Sequence, residues 1–342
     1  MTADIVAGAT VRLGPLASIP AVLTELGIEP EGPLGRYGLD VRSFDDPERR
    51  VTFEQLGGLL EHCAQVTACE HFGFRLGQRS ALSSFGLFGE ILATSATLMD
   101  ALRNAALYLH LHDTAALGLV LQFGETRTAL GYAIMSGDQR SAEQVIDGTI
   151  AMVFGLLREL CGPGWQPLRI QLSRRRPADD TPYRRHFRAP VEYDSAVSAV
   201  VFDARWLGTR LRSADPVRHR ALLARAAQER PGGVDELPSQ VGRLVQSMLY
   251  TTTPTAAQTA AMFGLTTRTL ERRLAAHGTG FRAVLKSARS NVARHLLAHT
   301  DLPVSEIASV LGYADSTGFS RAFRLANGLD ARTYRKWRSG RG

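Results

Sequence analysis

The last hundred or so residues repeat one helical pattern, and this repetition limits the possible fold more than any other feature of the chain. Thr253-Pro254 is typical of a helix start, because threonine caps a first turn and proline is tolerated at the first helical position. The predicted helix runs to Phe263. Gly264-Leu265-Thr266 then forms a turn, and Thr266 caps a second helix over Thr267 to His277.

The second predicted helix has two different faces. Leu270 and Leu274 lie on one side, where they would pack on the preceding helix, whereas Arg268, Glu271 and Arg272 fall on the other side. A polar stripe held outward in this way is the arrangement of a recognition helix in the major groove of DNA. The pattern therefore predicts a helix-turn-helix unit.

The same arrangement returns about fifty residues later. Pro303 opens a helix to Leu311, Gly312-Tyr313-Ala314-Asp315 forms a turn that is one residue longer than the first, and another helix covers Ser316 to Ala326. Phe319 and Phe323 would pack inward. The predicted outward residues of this helix are Thr317, Ser320, Arg321 and Arg324.

A single long helix, Phe281 to His299, is predicted between the two units. Its apolar stripe would brace both units against one core. The stripe contains Val284, Leu285, Ala288, Val292, Leu296 and Leu297. Two recognition helices held in this way could enter successive major grooves roughly 34 Å apart.

The positive charge is concentrated in the same part of the chain. The net charge is +7 over 342 residues, yet residues 240–342 contain 15 Lys and Arg against 5 Asp and Glu, and the preceding residues contain 25 against 28. This distribution is typical of a nucleic-acid-binding module attached to a near-neutral domain. A solvated basic surface on an ordinary helical bundle is the alternative, but it does not explain the repeated pattern.

Residues 239–338 resemble the DNA-binding domain of the AraC/XylS family of bacterial transcription regulators. The matching stretches are Thr266 to Leu274, Gly278 to Phe281, Ser305 to Ala308, Leu311 to Tyr313, Phe319 to Arg324, Gly328 and Tyr334-Arg335. The resemblance implies double-stranded promoter or operator DNA as the partner, with RNA polymerase and a second copy of the chain as further candidates.

By this resemblance, the base-reading positions carry over residue by residue. They are Arg268, Glu271, Arg272, Ser316, Thr317, Ser320 and Arg321, and the outward Arg324 joins the DNA-binding set. Three positions depart from the family pattern. Ala331 replaces a usual proline, Gly280 a usual serine, and Glu271 a common glutamine, so Glu271 would accept from cytosine instead of reading adenine.

The N-terminal part, residues 1–212, is predicted to be an α+β domain. Predicted helices are Thr52 to Cys69, Gly86 to Leu92, Thr97 to Leu109 and Ala142 to Leu160; predicted strands are Leu117 to Phe123, Thr128 to Met135, Leu168 to Leu172 and Ala199 to Phe202. The first two strands flank Gly124 to Arg127 as a β-hairpin. The predicted fold class is thus an α+β domain followed by an all-α double helix-turn-helix domain.

Two stretches, Arg36 to Leu39 and Phe85 to Gly89, together with the order of elements, resemble the arabinose-binding-type sensor domain of this family, as in its ornithine-utilisation regulators. The resemblance implies that residues 1–212 bind a small-molecule effector or hold a homodimer. It names no effector.

Residues 213–238 are predicted to join this domain to the DNA-binding domain, residues 239–342. The helix Asp215 to Glu229 alternates Leu222 and Leu223 with arginines and ends at Pro231-Gly232-Gly233. It could be a linker or a dimer surface, and we favour a solvated linker.

Other classes of site have weaker support. Cys63, Cys69 and Cys161 form no CxxC pair, and we interpret them as buried thiols in a reducing compartment. Grouping His62, Cys63, Cys69 and His71 as metal ligands matches no closed zinc pattern. No apolar run reaches bilayer length and the start lacks signal-peptide features, so we expect a cytoplasmic protein without a membrane partner.

An enzyme with an appended nucleic-acid module is a further alternative. His110, His112 and Asp113 cluster near one helix end, but proximity in sequence does not show a pocket, and we favour structural roles for them. The chain has no GxGxxG after a strand, no P-loop, no GxSxG and no HExxH, so we expect no catalytic site and no cofactor. Nonspecific architectural DNA binding is the third possibility.

Overall fold

The computed structural model describes residues 9–123, 126–134, 139–195, 197–228, 237–249, 253–299 and 302–338. The chain divides into two units, the first containing Met1–Gly118 and Gly124–Pro231, and the second containing Leu119–Phe123 and Gly232–Gly342. Strands and helices mix in the first unit, whereas the described residues from 237 to 338 form helices and short connections.

The described part of the chain contains a two-stranded and a five-stranded sheet. The strands are β1 (Thr10–Arg12), β2 (Arg50–Thr52), β3 (Ala116–Phe123), β4 (Arg127–Ile134), β5 (Arg169–Gln171), β6 (Val191–Glu192) and β7 (Ser198–Asp203). Strands β1 and β2 pair antiparallel, and the larger sheet has the order β3-β4-β7-β5-β6. Strand β7 is central and antiparallel to both neighbours, with Thr128 opposite Phe202 and Ile170 opposite Val200.

Strands β3 and β4 are neighbours, as the hairpin prediction requires; Gly124, Glu125 and Met135 lie outside the described residues. The side chains of β7 from Ser198 to Phe202 are all buried. A strand buried on both faces shows a continuous apolar run in place of an alternating one, and this explains why the sequence revealed it.

Nine α-helices precede residue 227 in the described chain. They are α1 (Ile19–Glu25), α2 (Glu31–Gly35), α3 (Phe53–Val66), α4 (Phe72–Gly77), α5 (Gly86–Ala93), α6 (Leu98–Tyr108), α7 (Gln139–Cys161), α8 (Thr181–Phe187) and α9 (Pro216–Ala226). Thr52 caps α3 by accepting from the Gln55 N–H at 3.1 Å. The helix ends at Val66 instead of the predicted Cys69, because Ala68 adopts a left-handed conformation (φ 50°).

Helix α7 packs against α3, α4, β4 and β7. Its crossing with α4 brings the two backbones together through glycine. A Cβ atom added at Gly77 would lie 2.1 Å from the Gly148 carbonyl oxygen, and one added at Gly73 would lie 2.0 Å from that of Gln144. These glycines therefore allow a closer approach than any side chain would permit.

Helix α9 differs from the predicted solvated linker. It packs against α5 and buries Leu222 and Ala226. The Arg218 guanidinium is paired with Glu90 at 2.6 Å, and His219 Nδ1 lies 2.9 Å from the Thr94 hydroxyl. The alternation of leucine and arginine thus marks a helix with one buried stripe, docked on the first unit.

In the second unit, the described residues from 237 to 338 form helices arranged around a long central one. They are α10 (Leu237–Leu249), α11 (Ala256–Met262), α12 (Thr267–Ala276), α13 (Phe281–His299), α14 (Val304–Val310), α15 (Ser316–Asn327) and α16 (Ala331–Arg338). Helix α13 has the predicted bounds and contacts α10, α14, α15 and α16, while α10 contacts α11 and α12. Val284, Ala288, Val292, Leu296 and Leu297 of α13 are buried in the shared core, which confirms the predicted brace.

Candidate nucleic-acid interface

The first helix-turn-helix unit, formed by α11 and α12, begins two residues later than predicted. Thr255, and not Thr253, caps α11: its hydroxyl accepts from the Gln258 N–H at 3.2 Å, and the Gln258 side-chain oxygen accepts from the Thr255 N–H at 3.1 Å. This reciprocal pair satisfies two backbone donors at once, an advantage that the Thr253-Pro254 start does not offer.

The turns of the two units have the same backbone geometry. Each contains a glycine in the left-handed region, Gly264 with φ 65° and Gly312 with φ 71°. In each turn, the N–H groups of the glycine and of the next residue, Leu265 or Tyr313, donate to carbonyls of the preceding helix at 2.9 to 3.0 Å. The sequence repeat is therefore a repeat of structure.

The recognition helices start differently. Thr266 caps α12 two residues after its glycine by accepting from the Thr269 N–H at 3.2 Å. Asp315 caps α15 three residues after Gly312 by accepting from the Gly318 N–H at 2.7 Å. The extra residue predicted in the second turn is present.

On α12, the apolar and basic faces are separated. Leu270 and Leu274 are fully buried, whereas Arg268 and Arg272 are exposed. At about 100° per residue, Arg272 points directly away from the buried pair, and Arg268 lies about 40° around the helix from Arg272. Neither arginine forms a salt bridge with any residue that the structure describes, so both guanidinium groups are available to an external anion or base.

Glu271 occupies a flank of the same helix. It is exposed, and its Oε2 lies 3.8 Å from the position of a Cβ atom at Gly280. Its carboxylate therefore lies toward the start of α13, on the side where Gly280 replaces the usual serine. Arg273 lies on the opposite flank and is also exposed.

Helix α15 buries Phe319 and Phe323 and exposes Ser316, Thr317, Arg321 and Arg324. Arg321 is directed opposite to the two phenylalanines. Like the arginines of α12, Arg321 and Arg324 form no salt bridge within the described residues. The exposed surface of α15 thus combines two arginines with two small hydroxyl side chains.

Ser320 departs from the predicted outward position. It is half-buried, and its hydroxyl donates to the Ser316 carbonyl oxygen at 2.7 Å. The reason is geometric, because Ser320 lies only about 60° around the helix from Phe323. With its hydrogen used inside the helix, Ser320 is left with acceptor capacity alone.

Several residues of the stretches that resemble the AraC/XylS family hold the helices from α13 to α16 together. Arg335 donates to the Leu302 carbonyl oxygen at 2.5 Å, and the Tyr334 ring lies 5.5 Å from that of Phe323. The Arg289 guanidinium lies 5.1 Å from the centre of the Tyr313 ring. Sequence spacing did not assign these structural roles, since the contacts join separate helices.

The other candidate residues of the sequence lie in the first unit. Cys63 and Cys69 are buried as predicted, whereas Cys161 is only half-buried, and His62 and His71 are half-buried as well. His112 and Asp113 are 8% and 2% exposed, and the Tyr132 hydroxyl donates to Asp113. Burial raises the pKa of Cys63 to about 12, so its thiol stays protonated. Among the described residues, no three His, Cys, Asp or Glu side chains form a group able to hold a metal ion. No described helix is both long and apolar enough to cross a membrane.

Comparison with known families agrees with this geometry. Residues 27–211 match the family model described as the arabinose-binding domain of AraC transcription regulators, and residues 259–336 match a helix-turn-helix domain. The chain belongs to the AraC family of transcription regulators. This AraC-family protein is therefore a DNA-binding transcription regulator with an N-terminal ligand-binding domain.

Relatives of similar length extend the match to both parts of the chain. The regulator is 24% identical to the transcriptional regulator VirS of Mycobacterium tuberculosis and 27% identical to the ornithine utilization regulator of Pseudomonas aeruginosa. Each match covers 96% of this chain and 97% of the relative. The transcriptional regulator CdpR of Pseudomonas aeruginosa is a solved structure with 25% identity, a TM-score of 0.41, and coverage of 77% of this chain and 86% of its own.

Proposed function

We propose that this regulator recognises a specific operator sequence with both α12 and α15, in the cytoplasm, under control of a small molecule or of dimerisation through its first unit. The observation that carries the proposal is the pair Arg268 and Arg272, exposed and without an acidic partner in the described chain. RNA polymerase is a further proposed partner, as in the family resemblance.

The chemistry of each side chain suggests a role. Arg268 and Arg272 present the forked donors that pair with O6 and N7 of guanine, and each such contact is worth about 1 to 3 kcal/mol of discrimination. Glu271 would accept from the amino group of cytosine. Arg321 would contact a base or the backbone, and Arg324 a phosphate, because arginine serves both purposes.

The two helix-turn-helix units would contribute unequally to DNA recognition. Helix α12 carries its arginines at the centre of the outward face, whereas α15 presents Ser316 and Thr317 beside Arg321, and Ser320 has already used its donor. Small hydroxyl groups make single hydrogen bonds to phosphates and to either kind of base. We therefore assign most of the sequence reading to α12 and more of the backbone anchoring to α15.

Arginine substitutions on α12 test the proposal. We expect Arg268→Ala and Arg272→Ala each to weaken binding to the operator by about 1 to 3 kcal/mol, roughly 5- to 150-fold, in gel-shift titrations. Arg273→Ala is the matched control: it removes the same charge from the same helix, but about 140° around the axis from Arg268. Equal losses in all three variants would show that charge alone governs binding.

Competition with unrelated DNA separates this proposal from architectural binding. A sequence-specific regulator should prefer its site by roughly a thousandfold or more. Equal competition by operator and unrelated DNA would favour a nonspecific architectural protein instead.

A further inference from the structure

The first unit contains a cavity of about 90 Å³ between α3, α5, α6, β4 and α7. Most of its wall is apolar; examples are Leu56, Leu60, Phe88, Leu130 and Met152. An engineered apolar cavity of about 150 Å³ holds benzene. The smaller cavity of about 90 Å³ in this protein therefore suits a short, compact molecule. All residues that line the cavity belong to the first unit, and none of them comes from α12 or α15.

Two of the polar residues in the wall have their hydrogen bonds satisfied inside the protein. The Gln144 side-chain oxygen accepts from the Gly73 N–H at 2.8 Å, and its amide donates to a backbone carbonyl at 2.8 Å. One oxygen of Asp113 accepts from the Ala115 N–H at 2.7 Å, and the other accepts from the Tyr132 hydroxyl. These groups have little left to offer a ligand.

His112 differs from these two residues. Its side chain is only 8% exposed, and its Nδ1 has no hydrogen-bond partner among the described residues. Burial, together with the charges of Arg12 and Arg50, lowers the pKa of His112 to about 3. The imidazole is therefore neutral near pH 7, and His112 brings to the wall of the cavity a ring nitrogen without a partner among the described residues.

The wall also limits the charge and polarity of a ligand. The described residues that line the cavity include no lysine or arginine. The nearby guanidinium groups of Arg12 and Arg50 are already paired with Glu48 and with backbone carbonyls, so a buried carboxylate or phosphate would gain no direct counter-charge. A sugar carries several hydroxyl groups, and each would need a partner to offset its desolvation. The wall offers only five polar side chains among the described residues, those of His112, Asp113, Tyr132, Gln144 and Thr149. Those of Asp113, Tyr132 and Gln144 already hydrogen-bond within the protein.

We propose that this cavity binds a small uncharged molecule with an apolar skeleton and one hydrogen-bonding group, and that this molecule, not a sugar, is the effector. Its assignment as the effector rests on the regulatory function proposed above. The binding itself does not, and can be measured without DNA.

The test uses the full-length protein and ligand-observed NMR titrations at pH 7.5. The probes are the 1-alkanols from propanol to octanol, the carboxylates of the same chain lengths, and L-arabinose. We expect saturable alkanol binding that is tightest at one intermediate chain length, and at least tenfold weaker binding of the matching carboxylate and of L-arabinose. Absence of saturable alkanol binding, or tighter binding of the sugar or carboxylate, would overturn the proposal.

A pair of variants on α3 locates the binding. Leu60 lines the cavity and the neighbouring Leu59 does not, although both are buried. Leu60→Ala enlarges the cavity and should move the preferred alkanol up by roughly two to three carbons, since the methine and two methyl groups removed leave space. Leu59→Ala should keep the original preference. The same shift in both variants would contradict the assigned cavity.

Operator binding by the same preparations is followed by gel shift. Loss of specific DNA binding together with retained alkanol binding would refute the regulatory function and leave the cavity assignment intact. Retained DNA binding without alkanol binding would refute the cavity assignment alone.

Discussion

Arg289 and Arg335 lie in the same helical unit as Arg268 and Arg272, but their side chains make different contacts. Arg289 packs on the Tyr313 ring and Arg335 bonds a backbone carbonyl, whereas Arg268 and Arg272 are exposed without a salt bridge in the described chain. The basic character of a segment therefore does not by itself identify its DNA-contacting residues. Exposure opposite the buried leucines is what distinguishes Arg268 and Arg272 from these structural arginines.

The buried imidazole of His112 leads to a prediction about pH. Its pKa is lowered to about 3 in the folded protein, against 6.5 as the ordinary value, so below pH 6.5 the unfolded chain takes up a proton that the folded chain does not. Its contribution to stability is complete above pH 6.5 and is lost progressively as the pH falls toward 3. We expect His112→Gln to lose less stability than the wild type between pH 6.5 and 4 in urea unfolding.

If His112→Gln keeps the wild-type slope, the buried imidazole is not the group responsible.

At the scale of elements, the crossing of α4 and α7 depends on glycine. We expect Gly77→Ala to lower the free energy of unfolding by about 1 to 3 kcal/mol or more, because the added Cβ would lie 2.1 Å from a backbone oxygen that cannot easily move. Gly155→Ala, on the same α7, meets its nearest atom at 3.9 Å and should be neutral or stabilising by up to about 1 kcal/mol. Thermal unfolding of the two variants decides the point, and equal stability would contradict the close crossing.

The elements also show where sequence reasoning succeeds and where it fails. Helix α13 was predicted to the residue, because nineteen residues of regular apolar spacing end at clear boundaries. Strands β1 and β2 were missed, since each has three residues and pairs with a partner about forty residues away. Helix α8 was missed as well: it has seven residues and buries only Tyr183 and Phe187, too few for a recognisable period.

The prediction that α9 is a solvated linker was wrong for a different reason. Its residues predicted a helix correctly, but the side chains of α5 that cover Leu222 come from a distant part of the chain. Local sequence reveals a buried stripe more readily than it reveals the surface that buries it.

In the whole molecule, local sequence was informative about the outward faces of α12 and α15 but not about the cavity of the first unit. The proposed DNA-binding residues lie on two short helices, so spacing alone placed Arg268, Arg272 and Arg321 on outward faces. The cavity wall is drawn from residues between Val11 and Leu156. No local pattern joins these residues, and the burial of His112 beside the cavity depends on the fold around it.

The division of charge between the two parts of the chain supports different tasks for them. The basic C-terminal third would hold the phosphate backbone, and its affinity should therefore fall with added salt. Salt dependence alone does not establish reading of sequence, because nonspecific proteins share it.

Selection of binding sites from random double-stranded DNA, with the purified full chain, tests whether α12 and α15 read sequence. Two recognition helices braced by α13 predict two enriched half-motifs with centres about one helical turn, roughly 10 base pairs, apart. With Arg272→Ala, the half-motif read by α12 should lose its guanine preference while the other half-motif is retained. Recovery of no enriched sequence at moderate salt would contradict sequence-specific reading by these helices.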